Sequence, residues 1–158
     1  MAWTVTDGAL RYVEGLWSAE ERATLCIAEL ELLASTFGLV ALAPWLPPCT
    51  VSFTDNTVAA AVMRSAAPRT ARLQWIAARR TLWLHQQARV EGVGRVTSRN
   101  NVWADLGSRG QLEEVLQQAR ALGLAVGDGG SAASGASAGG RVAVPAEWRD
   151  TSELLSIA

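Results

Sequence analysis

Residues 51–57 have the sequence Val-Ser-Phe-Thr-Asp-Asn-Thr, and the other predicted elements are arranged around this stretch. A β-prone run ends at Asp55, and a helix-compatible run from Val58 to Met63 follows, which predicts a buried strand and then a helix. In open α/β sheets, functional sites form beyond the carboxyl ends of the strands. Because an ionised aspartate is costly to bury without a partner, Asp55 is a candidate functional residue. The alternative is that Asp55 caps the helix that follows, a common role for aspartate.

Two further acids complete a candidate metal-binding set with Asp55. Glu31 lies in Glu-Leu-Leu-Ala, and Asp105 lies in Asn-Val-Trp-Ala-Asp. Three carboxylates converge favourably only if a cation offsets their repulsion, and hard oxygen ligands favour Mg²⁺ or Mn²⁺. Two alternatives stay open. Glu29 could be the ligand in place of Glu31. The two glutamates are two positions apart and cannot share a helix face, so one of them is expected to be solvated. Asp105 could instead pair with Arg109 at i,i+4 on a helix surface.

The composition is that of a globular protein of 158 residues, 49% hydrophobic and 18% charged, which suits one domain and a short appendage. Cys26 and Cys49 have neither zinc nor redox spacing, so we expect reduced, buried thiols in an intracellular protein, cytoplasmic or nuclear. A single histidine argues against a zinc enzyme or a histidine-based triad. No uninterrupted apolar stretch of about 18 residues and no signal-peptide pattern appear, so we expect no membrane partner.

Charge is unevenly distributed along the chain. Residues 1–55 contain seven acids and two arginines, a net charge of −5, whereas residues 64–99 contain eight arginines and one glutamate, a net charge of +7. An acidic part beside a basic part is typical of a protein that binds metal ions on one side and phosphates on the other. The alternative is that the basic segment is only a solvated helix face.

Local patterns predict the order of the elements. Asp7-Gly8 indicates a hairpin between strands at 2–6 and 9–16, and Ser18 with Glu21 resembles a capping box. The remaining predicted elements are a buried helix at 24–43, a strand at 49–54, helices at 57–65 and 69–88, a strand at 88–97, a short helix from Asn101 and a helix at 111–122 ended by Gly123. We therefore predict a domain over 1–126, a flexible Gly/Ser/Ala linker over 127–140, and a tail over 141–158. The tail is expected to dock through Trp148, on the domain or on a neighbour.

Three segments of the chain resemble motifs of the ribonuclease H domain attached to reverse transcriptases, closest to that of DIRS-like retroelements. The likeness covers residues 2–110 and rests on Glu31-Leu32-Leu33-Ala34, on Thr54-Asp55-Asn56, and on Asn101-Val102-Trp103-Ala104-Asp105 with Ser108-Arg109. The resemblance implies an α/β fold in which a ribonuclease H-like mixed sheet is flanked by helices. It also implies an upstream reverse transcriptase domain as a partner.

The resemblance implies metal-dependent hydrolysis of the RNA strand of an RNA–DNA hybrid, with two Mg²⁺ or Mn²⁺ ions. Glu31, Asp55 and Asp105 would be the catalytic metal ligands. Such enzymes distinguish RNA from DNA through the 2′-hydroxyl group. The expected nucleic-acid contacts are Asn56, Arg95, Arg99 and Asn101.

The chain departs from the family pattern in two places. The family begins with a central strand that carries an aspartate, and Ala2-Trp3-Thr4 matches the part that follows it, so we expect this fragment to lack that strand and to need it for activity. Arg95 stands where the family has a loop histidine, and arginine cannot shuttle protons at neutral pH. The alternative function is therefore a non-catalytic nucleic-acid-binding or connection module of the same fold. A 3′–5′ exonuclease of this superfold is less favoured, because its additional acids are not found.

Overall fold

A computed structural model describes residues 1–65, 68–127 and 139–157, and these form a mixed α/β fold, as predicted. Most of the predicted linker, residues 128–138, lies outside the described residues. Its last residue, Gly140, is described and begins a two-residue strand.

An antiparallel hairpin opens the fold where the Asp-Gly turn predicts it. Strand β1 (Ala2–Thr6) pairs with β2 (Ala9–Val13), and the turn residues Asp7 and Gly8 have φ values of 53° and 71°. Positive φ at both central positions gives the turn the twist of the strands beside it. The other edge of β2 pairs in parallel with β5 (Gly140–Arg141). These three strands form one sheet.

The predicted helix at 24–43 is α2 (Ile27–Leu42), and a separate short helix, α1 (Ala19–Thr24), precedes it. The predicted capping box starts α1, because the Glu21 N–H donates to Ser18 Oγ at 3.0 Å and the Ser18 N–H donates to Glu21 Oε2 at 2.6 Å. The chain then restarts as α2, where the Cys26 N–H donates to Glu29 Oε2 at 2.8 Å.

Strand β3 (Cys49–Thr54) has the predicted bounds and pairs in parallel with β4 (Val90–Arg95). This pair is a second sheet, separate from the first within the described residues. Helices α3 (Thr57–Ser65) and α4 (Ala71–Gln86) connect the two strands, as a parallel pair requires. Consequently β1 and β3 each have one edge that no described strand pairs.

Four more helices and the short strand β5 complete the regular structure of the described chain after β4, apart from one 3₁₀ turn. The predicted helix ended by Gly123 is present, with Gly123 at φ 76°, a conformation that glycine adopts without strain. The helices are α5 (Val102–Ser108), α6 (Leu112–Ala121), α7 (Ala146–Arg149) and α8 (Ser152–Leu155).

Helix α2 is the centre of the main core. Leu32 and Leu33 are almost fully buried there, together with Ile76 of α4 and with Trp148 and Leu154 near the chain end. The segment Ile27–Trp45, with a mean hydropathy of 1.5, is by length and composition apolar enough to cross a membrane, although acids interrupt it. Since 61% of it is buried inside the fold, it has the environment of a core helix.

Two expectations about burial are wrong. Cys26 and Cys49 are free thiols, as expected, but both are exposed rather than buried. Cys26 precedes the first turn of α2, and Cys49 begins a strand, so each lies at the boundary of an element. Neither Glu29 nor Glu31 is fully solvated: Glu29 is only 5% exposed, because its carboxylate turns back to the start of α2.

Candidate functional site at the carboxyl end of β3

Asn56, rather than Asp55, caps the helix after β3. Asn56 Oδ1 accepts hydrogen bonds from the N–H groups of Val58 and Ala59, each at 2.9 Å. These are two of the N–H groups that the first turn of a helix leaves without partners. The Asp55 carboxylate is therefore not used as the helix cap.

The Glu31 carboxylate of α2 is close enough to Asp55 for their charges to interact. Its pKa is raised, first because burial removes water from the carboxylate and then because Asp55 is negatively charged. A hydrogen bond with the Asn56 side chain and the Met1 ammonium group oppose this rise. Glu31 Oε2 is buried and has no hydrogen-bond partner. Two carboxylates thus converge here with an unsatisfied oxygen atom.

The choice between Glu29 and Glu31 is made by their positions on α2. Glu29 faces the start of its own helix, where it accepts the Cys26 N–H. Glu31 lies about 200° away around the helix, on the side of Asp55. Glu31 is therefore the acid that α2 contributes to this site.

The start of α5 also reaches this site, but its acid does not. Asn101 Nδ2 donates to Asp55 Oδ1 at 3.4 Å. Asp105, one turn further along, accepts from Arg109 Nε and lies 3.1 Å from Arg109 Nη2, in an exposed pair. Among the residues that the structure describes, no three Asp, Glu, His or Cys side chains are grouped as a metal site. The structure therefore brings Glu31 and Asp55 together, and Asp105 stands apart from them.

Glu31 and Asp55 fit a hard divalent cation. A cation between them would offset their repulsion and give Glu31 Oε2 a partner, and carboxylate oxygens are the ligands that Mg²⁺ and Mn²⁺ prefer. The role of Asp105 as a third ligand stays a prediction.

The predicted nucleic-acid contacts Arg95 and Arg99 are exposed near the same end of the sheet. Arg95 is the last residue of β4 and is in register with Thr54, directly before Asp55. Arg99 lies in the short 3₁₀ turn that precedes Asn101. Positive charge and the acid pair thus occupy neighbouring positions, because parallel strands present their carboxyl ends at one edge.

Most of the other arginines of the basic segment hold the fold together, which sequence reasoning missed. Arg89 donates to the Ala43 carbonyl at 2.7 Å and to the Leu46 carbonyl at 3.1 Å, close to the end of α2. Similar contacts to backbone carbonyl or carboxylate oxygen atoms are made by Arg64, Arg72, Arg79 and Arg80. Net charge along the sequence therefore overstated the surface available for phosphates.

Comparisons of the chain with protein-family models, with curated proteins and with solved structures found no match.

Proposed function

We propose that this chain is a ribonuclease H-like domain of a retroelement reverse transcriptase, which hydrolyses the RNA strand of RNA–DNA hybrids with divalent metal ions. The observation that carries the proposal is the convergence of Glu31 and Asp55 at the end of β3, with an unpartnered oxygen on Glu31. The resemblance of the three sequence segments supplies the reaction.

In this proposal each residue has a defined task. Glu31 and Asp55 hold the cation, and Asn101 orients Asp55 through its amide group. When bound, a divalent cation activates water and stabilises the leaving oxygen of a phosphodiester. Arg95 and Arg99 bind phosphates of the hybrid through their charge. Asp105 would join the acid pair after its exposed ion pair with Arg109 breaks, at a cost of about 1 kcal/mol or less.

The open edges of β1 and β3 support the idea of one more strand in the complete site. Strands β1 and β3 belong to different sheets, yet both contact α2. Unpaired strand edges are ready to bind another strand, because their backbone groups lack partners. We propose that a strand from an upstream segment of the retroelement protein lies between β1 and β3 and brings a further acid to the site.

Cleavage of a labelled RNA–DNA hybrid with Mg²⁺ or Mn²⁺ tests the proposal. We expect activity when the chain is extended by the upstream acid-bearing strand, and loss of that activity in Asp55→Asn. The matched control is Asp7→Asn in the exposed hairpin turn, where asparagine tolerates the positive φ. An extended and folded chain that is inactive, or one in which Asp55→Asn keeps full activity, would contradict the catalytic proposal.

A second candidate is a non-catalytic nucleic-acid-binding or connection module. It is favoured by the pairing of Asp105 with Arg109 and by arginine at position 95. In that case hybrid binding would persist without divalent ions and would be unaffected by Asp55→Asn. Hybrid binding would be weaker in the Arg95→Gln chain than in the unmodified chain, and its affinity would depend less on salt concentration.

A further inference from the structure

The C-terminal part of the chain, residues 142–157, lies in a groove between α1, α2 and α4; we call it the tail segment. Its Trp148 is 8% exposed and meets Trp83 edge to face, with ring centroids 6.3 Å apart. Its Leu154 is fully buried. We call the surface beneath it the aromatic groove, formed by Trp17, Phe37, Trp75, Trp83, Glu21 and Arg79.

Arg79 of the groove holds Trp148 of the tail segment. The guanidinium carbon lies 4.5 Å from the Trp148 ring centroid and 5.0 Å from that of Trp75. Arg79 Nη2 also donates to the Glu147 carbonyl oxygen. A cation between two indole rings is a favourable arrangement, worth more as it becomes desolvated. The groove therefore recognises both a tryptophan side chain and the backbone before it.

Arg149 of the tail segment makes the reciprocal contact with the groove. Its guanidinium lies 5.4 Å from the Trp17 ring centroid and 5.7 Å from that of Phe37, and it donates to the Leu16 carbonyl at 2.7 Å. Tryptophan and arginine at adjacent positions thus face aromatic partners on different elements: Trp148 faces Trp83 of α4, and Arg149 faces Phe37 of α2 and Trp17 in the loop before α1.

A buried carboxylate completes the recognition. Glu21 is 4% exposed, and its Oε1 accepts from Thr151 Oγ1 at 3.0 Å and lies 3.6 Å from Arg149 Nη1. The other oxygen of Glu21 is used by the capping box of α1. A buried carboxylate needs such partners, since leaving it unpaired is costly. The groove therefore selects a hydroxyl group and a cation at fixed spacing after the tryptophan.

The tail segment has little secondary structure that ties it to the rest of the fold. The adjoining strand β5 is two residues long, and α7 and α8 have four residues each. Residues 128–138, which connect it to α6 in sequence, are only Gly, Ser, Ala and one Asp. Its principal side-chain contacts come from residues 147–154, so the same residues on another molecule would make the same contacts.

We propose that the aromatic groove is a peptide-binding site whose ligand is the tail segment, and that two copies of this chain exchange these segments. A tethered ligand has an effective concentration on the order of millimolar, so the chain's own tail segment occupies the groove in dilute solution. A copy whose tail segment binds its own groove weakly has an accessible groove. At micromolar concentration that groove binds the tail segment of a second copy.

Binding of a fluorescein-labelled peptide of residues 141–157 tests the site. The receptor is the full-length chain carrying Trp148→Ala, compared with the unmodified chain. We expect at least about tenfold tighter binding to the Trp148→Ala chain, because the unmodified chain blocks its groove with its own segment. The same peptide with alanine at position 148 is the matched control and should bind at least about tenfold more weakly.

Light scattering on mixed chains tests the exchange. A Trp148→Ala chain and an Arg79→Ala chain should each be monomeric alone and should form a 1:1 complex when mixed, since one supplies an intact groove and the other an intact segment. If Trp148→Ala prevents folding, the double variant Thr151→Val with Arg149→Gln serves as the receptor instead, because it removes the contacts of the tail segment with Glu21. Its binding of the same labelled peptide is then measured. A folded receptor that does not bind the peptide, or a mixture that stays monomeric, would overturn the proposal.

Discussion

Glu31 is the residue whose charge is least well accommodated at the site. Its carboxylate is partly desolvated, faces Asp55, and has one oxygen without a partner. The pKa of Glu31 in the folded chain is therefore above its ordinary value of 4.5. Folding then favours the protonated form, so the stabilisation is complete below the unfolded pKa and is lost as the pH rises through the folded pKa.

Replacing Glu31 by glutamine should stabilise the fold at neutral pH. Glu31→Gln removes a charge that is repelled by Asp55, and it should raise the free energy of unfolding at pH 7 while changing it little below about pH 4. Urea denaturation at the two pH values measures the difference. The exposed Glu20→Gln is the control and should show no gain at pH 7. A Glu31→Gln chain that is less stable than the parent at pH 7 would contradict this account.

At the scale of elements, α3 depends on a single capping side chain. The Asn56 side chain accepts hydrogen bonds from two N–H groups of the first turn and is also hydrogen-bonded to the Glu31 carboxylate. It therefore connects the end of β3, the start of α3 and the acid of α2. The role predicted for Asn56, contact with nucleic acid, must share its amide group with this structural task.

Truncation of the cap should destabilise the chain measurably. Asn56→Ala should lower the free energy of unfolding by about 1 kcal/mol, since two N–H groups lose their acceptor. Asn56→Ser keeps an acceptor and should recover most of that loss. Thermal unfolding followed by circular dichroism compares them, with Asn100→Ala in the exposed 3₁₀ turn as control. Equal losses for alanine and serine would show that the cap is not what stabilises α3.

The helices and the β3–β4 sheet are joined by one buried network. Arg80 of α4 donates to Glu91 Oε2 of β4 at 2.9 Å and to Thr36 Oγ1 of α2 at 3.0 Å. Ser52 of β3 also donates to Glu91. The side chains of Arg80 and Glu91 are 3% and 4% exposed, so this pair is shielded from water. Four elements are therefore held by a single ion pair and its hydroxyl partners.

Breaking this pair from one side should have a large effect on the whole molecule. Glu91→Ala leaves the Arg80 guanidinium buried and uncompensated and should cost about 3–5 kcal/mol of stability. Arg80→Met combined with Glu91→Met removes both charges and should restore much of that loss. The exposed ion pair between Asp105 and Arg109 is the control: Asp105→Ala should lower the free energy of unfolding by about 1 kcal/mol or less. A loss below about 1 kcal/mol for Glu91→Ala in urea denaturation would refute the role of the network.

Local sequence determined the elements whose signals lie within a few residues. The Asp7-Gly8 hairpin turn, the Ser18–Glu21 capping box, and the bounds of β3 and α3 all follow from neighbouring side chains. The mixed α/β class was predictable because it follows from the order of these locally predicted strands and helices. The start of α2 lies three residues after the predicted start at Thr24, because apolar residues continue through the break after α1 and only the Glu29 contact marks the restart.

Tertiary structure alone decided which residues meet and which are buried. Glu31, which the sequence favoured over Glu29, is the acid that faces Asp55, and Arg80 is buried against a glutamate, whereas the sequence placed it in a basic segment. Cys26 is exposed despite its apolar neighbours. These outcomes depend on residues that are far apart in the chain, and on how two separate sheets pack on α2. The sequence by itself therefore determined the local elements and nominated the acids, and the packing of distant elements decided which acids share a site.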